Sequence, residues 1–126
     1  MPPDRPGPTL QFDPTRLRQL LDGADPETAR QLLDSLQSDL GTVHCILVQG
    51  CAAADCEAIS AQTHVLTGLA GTVGALRLQW AAEALYLGAQ QCNIAALAPL
   101  GQDVLALLAE LRLIIGQWGQ TACQTP

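Results

Sequence analysis

The sequence predicts an all-α fold, an up-and-down four-helix bundle with a short additional helix at its amino-terminal end. Three observations carry that prediction. Leucine, alanine, isoleucine and valine recur at spacings of three and four along most of the chain, the period of a helix with one apolar face. Aromatic residues are only 3% of a chain that is 48% hydrophobic, so aliphatic side chains must build the core, which suits helix-on-helix packing. No alternating strand pattern or hairpin signal competes. At 126 residues the chain is long enough for one domain with one core.

Residues 1–11 hold prolines at positions 2, 3, 6 and 8, which forbid a regular helix, and are expected to form a flexible tail ahead of a bundle spanning 12–118. The opening MPPDRPGPT lacks the apolar stretch of a signal peptide, and with Met1 it favours a free-standing protein over a domain cut from a larger one. Asp13 then offers a helix cap with Pro14 in the first turn, and Leu17, Leu20 and Leu21 follow before Gly23 ends the helix. Asp25, Pro26 and Glu27 repeat the start signal. From there Ala29, Leu32, Leu33, Leu36, Leu40, Val43 and Leu47 trace a long amphipathic helix, which continues through Gly41 and is expected to stop near Gly50.

A third helix is predicted from about Asp55 to Thr72, with a break or bend near residues 71–75. Leu76, Leu78, Ala81, Ala82, Leu85 and Leu87 mark the fourth, its edges covered by Trp80 and Tyr86, and 88–93 forms the connection. The last helix carries Leu97, Leu100, Val104, Leu107, Leu108, Leu111, Ile114, Ile115 and Trp118, with Pro99 in its first turn or in a short preceding turn. Residues 119–126 are expected to be a flexible tail.

Charge and cysteine usage narrow the function classes. A net charge of -6 and a pI near 4.5 argue against a nucleic-acid partner, which requires a basic face. The six basic residues are all arginine. No uninterrupted run of about 18 apolar residues occurs, so no membrane span is expected. The five cysteines are odd in number and none is paired in C-x-x-C spacing. Most are therefore expected to be buried small hydrophobes in a reducing compartment, the cytoplasm. His44 and His64 lie on different predicted helices, so a metal centre built from them and the cysteines is not expected.

The stretch THVLTGLAGTVGAL, residues 63–76, is the most informative. At about 100° per residue, Ile59, Leu66, Ala70 and Val73 share one side of a helix and His64 lies opposite. On the histidine's side fall Glu57, Ser60, Ala61, Gly68, Gly71 and Ala75, with Thr67 toward the edge of that face. An interior helical glycine costs about 1 kcal/mol relative to alanine, so Gly68, Gly71 and Gly74 require a reason. Two ordinary reasons exist, close helix packing for the glycines and a solvated surface for the histidine. The reactive one is that bare backbone lets another protein approach the imidazole. His44 sits beside Val43 at the boundary of an apolar stripe and reads as a partly buried structural residue.

The string H-V-L-T-G-L-A-G-T-V-G-A resembles the phosphohistidine motif of the histidine phosphotransfer (HPt) domain family. His64, Leu66, Gly68, Ala70, Gly71, Gly74 and Ala75 match it, while Thr67 stands where that family usually has lysine. Outside this stretch the likeness rests on helix lengths and leucine spacing. The resemblance implies an HPt-like bundle acting in a bacterial two-component phosphorelay, with His64 as phosphoacceptor. It further implies a surface of Ser60, Ala61, Thr67, Gly68 and Gly71 facing a receiver domain, with Gly68 and Gly71 as clearance. The partner would be the receiver of a hybrid histidine kinase, a response regulator, or both. The chain would be a phosphoryl carrier with no ATP-dependent kinase activity and no cofactor of its own, Mg2+ residing on the receiver, and would act as a monomer. An alternative is a degenerate HPt-like adaptor that docks without transferring phosphate; a helical structural or dimerisation module is a third.

Overall fold

A computed structural model describes the backbone of residues 11–124 and the side chains of 11–119; the predicted tail up to residue 10 lies outside the described residues. Five helices follow in order: α1 (Pro14–Leu21), α2 (Pro26–Ala53), α3 (Cys56–Val73), α4 (Leu76–Gln90) and α5 (Ile94–Gln124). Three starts use the same device. Asp13, Asp25 and Asp55 turn a side-chain oxygen onto the free backbone N–H groups of Thr15, Thr28 and Ala58. Each supplies an acceptor to a group that the helix itself cannot satisfy.

The long helices form a closed ring of neighbours, α2 with α3, α3 with α4, α4 with α5 and α5 with α2, and α1 leans on α3. Their shared core is aliphatic: Leu33, Leu40, Val43 and Leu47 from α2 meet Ile59, Leu66, Ala70 and Val73 from α3, with Leu78 and Leu85 from α4 and Val104, Leu108 and Leu111 from α5. Leu17 joins from α1. The fold class is thus the one the leucine spacing predicts.

Gly74 fastens α1 to the bundle. Its φ of 85° ends α3 in the left-handed region, and a side chain there would strike the carbonyl oxygen of Asp13. Bare backbone lets the Asp13 N–H donate to the Gly74 carbonyl at 2.8 Å. Arg16 adds a bond from its guanidinium to the Gly71 carbonyl at 2.7 Å. Phe12 meets the Trp118 ring edge-on with centroids 6.4 Å apart, and the Arg18 guanidinium lies 6.0 Å from the same ring. By contrast Trp80 on α4 is 62% exposed.

Several boundaries move. α2 runs past Gly50 to Ala53, where Ala54 takes a left-handed φ of 52° and reverses the chain. α4 continues to Gln90, and Leu87, expected on its apolar stripe, is exposed while Ala89 is buried. α5 begins at Ile94, so Pro99 lies in its second turn, and the helix continues through residues 119–124 instead of ending at Trp118. One expectation about membranes also changes: Ile94–Gly119, with an 18-residue window of mean hydropathy 1.6, is long and apolar enough to cross a membrane by length and composition. Its apolar character serves the bundle, since Leu97, Val104, Leu107, Leu108, Leu111 and Ile115 are buried in the common core.

The cysteines depart from the expected pattern as well. Cys45 is exposed, Cys51 is half-buried against Gly101 of α5, and Cys56 is disulfide-bonded to Cys92. Of these four, Cys51 and Cys56 pack against the core, and only Cys51 does so as a free thiol. Burial raises the pKa of its thiol.

Candidate functional site

His64 stands exposed near the middle of α3, while Ile59, Leu66, Ala70 and Val73 point into the core. Opposite placement is what the helical period demands of these positions. Thr63, next to it, is fully buried and satisfies its hydroxyl on the Ile59 carbonyl at 2.8 Å, so a polar side chain enters the core without an unpaired donor.

The surroundings of His64 come from α3 and α4 together. Gln90 Nε2 donates to Ser60 Oγ at 2.6 Å, the rings of His64 and Tyr86 lie 6.2 Å apart at a tilt of 42°, and Gln79 covers Gly71. These three pairs define one antiparallel register, which sets Glu83 level with Thr67. Two exposed carboxylates lie on the same two helices, Glu57 two turns before His64 on α3 and Glu83 one turn before Tyr86 on α4. Val65 and Leu87 add exposed apolar surface at 47% and 58%.

The residues grouped around His64 by sequence are treated differently by the fold. Ser60, Ala61 and Gly68 lie within about one turn of it on α3, and a Cβ at Gly68 would meet no atom of the described residues within 4 Å, so among them that stretch of backbone is open. Gly71 is not open. A Cβ there would lie 3.1 Å from Gln79 Nε2, so this glycine admits a side chain of the same molecule and not a partner. Ala75 is fully buried, because the left-handed turn at Gly74 takes it out of the α3 helix and into the cap of α4.

Thr67 is half-buried at the edge of that face. Its hydroxyl donates to the Thr63 carbonyl at 2.8 Å, the back-bonding common for threonine within helices, so its one proton is already committed. Tyr86 and Gln90 were not expected to border the site. Their signal in the sequence is faint, a tyrosine and a glutamine one turn apart on a helix of uniform composition.

His44 has another environment altogether. It is half-buried on α2, its Nδ1 3.0 Å from the Arg112 guanidinium of α5, and Gln37 Nε2 donates to the Arg112 carbonyl at 2.7 Å. The expectation of a boundary histidine holds.

No protein-family model matches the chain, and no curated protein does at the sequence level. Among solved structures it is similar to histidine-containing phosphotransfer protein B (HptB) from Pseudomonas aeruginosa PAO1, with a TM-score of 0.78 and 21% sequence identity, covering 88% of this chain and 96% of that one. An identity this low speaks for architecture alone, and the likeness extends over most of both chains. The chain therefore has the fold of a histidine-containing phosphotransfer protein.

Proposed function

We propose that this protein is a phosphoryl carrier in which His64 takes a phosphoryl group from the aspartyl phosphate of a receiver domain and passes it to the aspartate of another. The observation that carries the reading is the exposed imidazole of His64 in mid-helix, beside the open backbone of Gly68, in the fold of HptB. A solvated imidazole nitrogen is a good nucleophile near neutral pH. It attacks the phosphorus, a P–N bond forms, and the bond to the aspartate oxygen breaks, releasing the carboxylate. The resulting phosphoramidate is reactive enough for the reverse step on a second receiver.

Little catalytic machinery is required of the chain itself. The receiver, with its Mg2+, would supply charge stabilisation for the transferring group, and this chain would supply presentation. Gly68 keeps the approach clear, Ser60 and Ala61 lie within about one turn of the ring, and Val65 and Leu87 give the partner apolar surface to cover. The partners are receivers of a hybrid kinase or a response regulator, met by a monomer in the cytoplasm.

One observation favours a second reading, an adaptor that docks on a receiver without accepting phosphate. A phosphoryl group carries about -1.5 to -2 charges. Here the chain has no lysine, Thr67 has spent its proton on the backbone, and Glu57 and Glu83 stand exposed on the same two helices. Incubation with a panel of phosphorylated receiver domains carrying labelled phosphate separates the two. Label that moves to the wild-type chain and not to His64→Gln supports the carrier. Stable binding of receivers with no label transferred supports the adaptor.

A further inference from the structure

Cys56 opens α3 and Cys92 lies in the turn between α4 and α5, with Cα atoms 5.7 Å apart and the sulfurs bonded. We infer that this pair is a reversible redox-modification site, one that reacts with low-molecular-weight disulfides and thiols and whose state changes how a partner seats beside His64. The last clause rests on the phosphotransfer reading; the chemistry at the cysteines does not.

Three observations meet at this place. Cys92 has a φ of 49°, in the left-handed region, at a helix-ending turn where glycine or asparagine is the unstrained choice. Turn formation alone gives no reason for a cysteine there. Access is graded, for Cys92 is exposed and Cys56 half-buried, so a small reagent reaches the Cys92 sulfur first. Lastly, an open groove lined by Cys56, Glu57, Ser60, Ala61, Gln90 and Cys92 leads from the bridge to the turn of α3 just before His64. The bond between Gln90 and Ser60 crosses that groove, so the clasp and the histidine share one surface.

In a reducing cytoplasm, disulfides are uncommon and those that form are transient or redox-sensing. The reaction is thiol–disulfide exchange. The Cys92 thiolate attacks one sulfur of a small disulfide, forms a mixed disulfide and releases one thiolate. The Cys56 thiolate then attacks the Cys92 sulfur and expels the second. The pair loses two electrons and two protons, and the small disulfide becomes two thiols. With the bridge open, the α4–α5 turn is released from the first turn of α3, and Gln90 and Ser60 lose the tether that holds them together.

The test uses the full chain equilibrated in buffers of graded reduced and oxidised glutathione, followed by alkylation and mass measurement. A single two-thiol step is expected within the glutathione range, absent from Cys92→Ser and from Cys56→Ser. A bridge that never forms, or one that survives reduced glutathione alone, overturns the redox site. The coupling is read next by comparing phosphoryl uptake from a phosphorylated receiver by the reduced and oxidised chain. A difference of about fivefold or more is expected, the lower range of site-to-site couplings, and Cys92→Ser should remove it. Equal rates overturn the coupling. Amide chemical shifts of Ser60, Ala61 and His64 in the two redox states need no receiver. If they move while no receiver phosphorylates either form, the clasp stands and the phosphotransfer reading falls. If they stay fixed, the clasp does not reach the site.

Discussion

His64 and His44 are twenty positions apart, both near the middle of a long helix and each close to a glycine, yet the fold uses them in opposite ways. On the α2–α5 side the molecule faces itself. Arg112 reaches across to His44, a Cβ at Gly41 would lie 3.4 Å from the Arg112 guanidinium, and one at Gly116 would lie 3.3 Å from Gln37. Glycine there makes room for the protein's own polar side chains. On the α3–α4 side a Cβ at Gly68 would meet none of the described residues, and the imidazole beside it has an aromatic neighbour, Tyr86. On the phosphotransfer reading, that space is where a receiver would approach His64.

The largest expected effect tests that contrast at the two rings. His64→Gln should abolish phosphoryl uptake from a receiver, and His44→Gln should leave most of it, with both variants retaining the helical circular dichroism of the parent. Loss of label in the His44 variant would reverse the assignment of inside and outside. Next comes the cost of opening the closed side. Arg112→Leu leaves His44 without its partner and should lower unfolding stability in denaturant by about 1–2 kcal/mol while leaving uptake at His64 unchanged.

Thr67→Lys sharpens the comparison by placing a cation one turn from the imidazole. One charge-assisted hydrogen bond to a solvated phosphoryl group is worth about 1 kcal/mol, so uptake should accelerate or the phosphorylated state persist several-fold longer, less so at high salt. Because Glu83 is level with position 67, it competes for the new ammonium, and adding Glu83→Gln should enlarge the gain. Unchanged rates in both variants would mean that the receiver supplies all the charge needed.

A smaller effect is expected at Gly68. Gly68→Gln should raise stability by a fraction of a kcal/mol through helix propensity and yet slow transfer, because the side chain fills the open approach. A more stable variant that transfers as fast as the parent would make Gly68 an ordinary helix glycine. The smallest effect distinguishes neither side. Backbone N–H groups of Thr15 and Thr28 hold the Asp13 and Asp25 carboxyls below their ordinary value of 3.8. A depressed folded pKa gives stability that is fully present above that value and is lost as the pH falls through the folded one. Melting temperature should therefore decline in acid, and Asp25→Asn should flatten that decline.

What could be read from the sequence was what depends on neighbours along the chain. Asp13, Asp25 and Asp55 cap helices within three residues of themselves, and the Ile59, Leu66, Ala70 and Val73 stripe needs only the helical period, so helix starts and the outward turn of His64 were legible. Gly71, Ala75 and the cysteines were misplaced for a different reason. Gln79 reaches Gly71 from another helix, Asp13 demands the bare Gly74 that turns Ala75 inward, and 36 residues separate Cys56 from Cys92. Such meetings are set by how helices pack, which no local pattern encodes. The start of α5 is hidden because isoleucine and alanine at residues 94–96 carry no start signal, while a proline in the second turn resembles one.

The two tryptophans equip the molecule with intrinsic fluorescence at separate stations. Trp118, wedged between Phe12 and Arg18, senses whether α1 is attached, and Trp80, largely bathed in solvent on the helix that carries Tyr86, senses whatever settles on that helix. With Trp118→Phe the emission of Trp80 becomes a label-free titration signal for an arriving partner; with Trp80→Phe the remaining indole follows the loosening of the amino-terminal helix on its own.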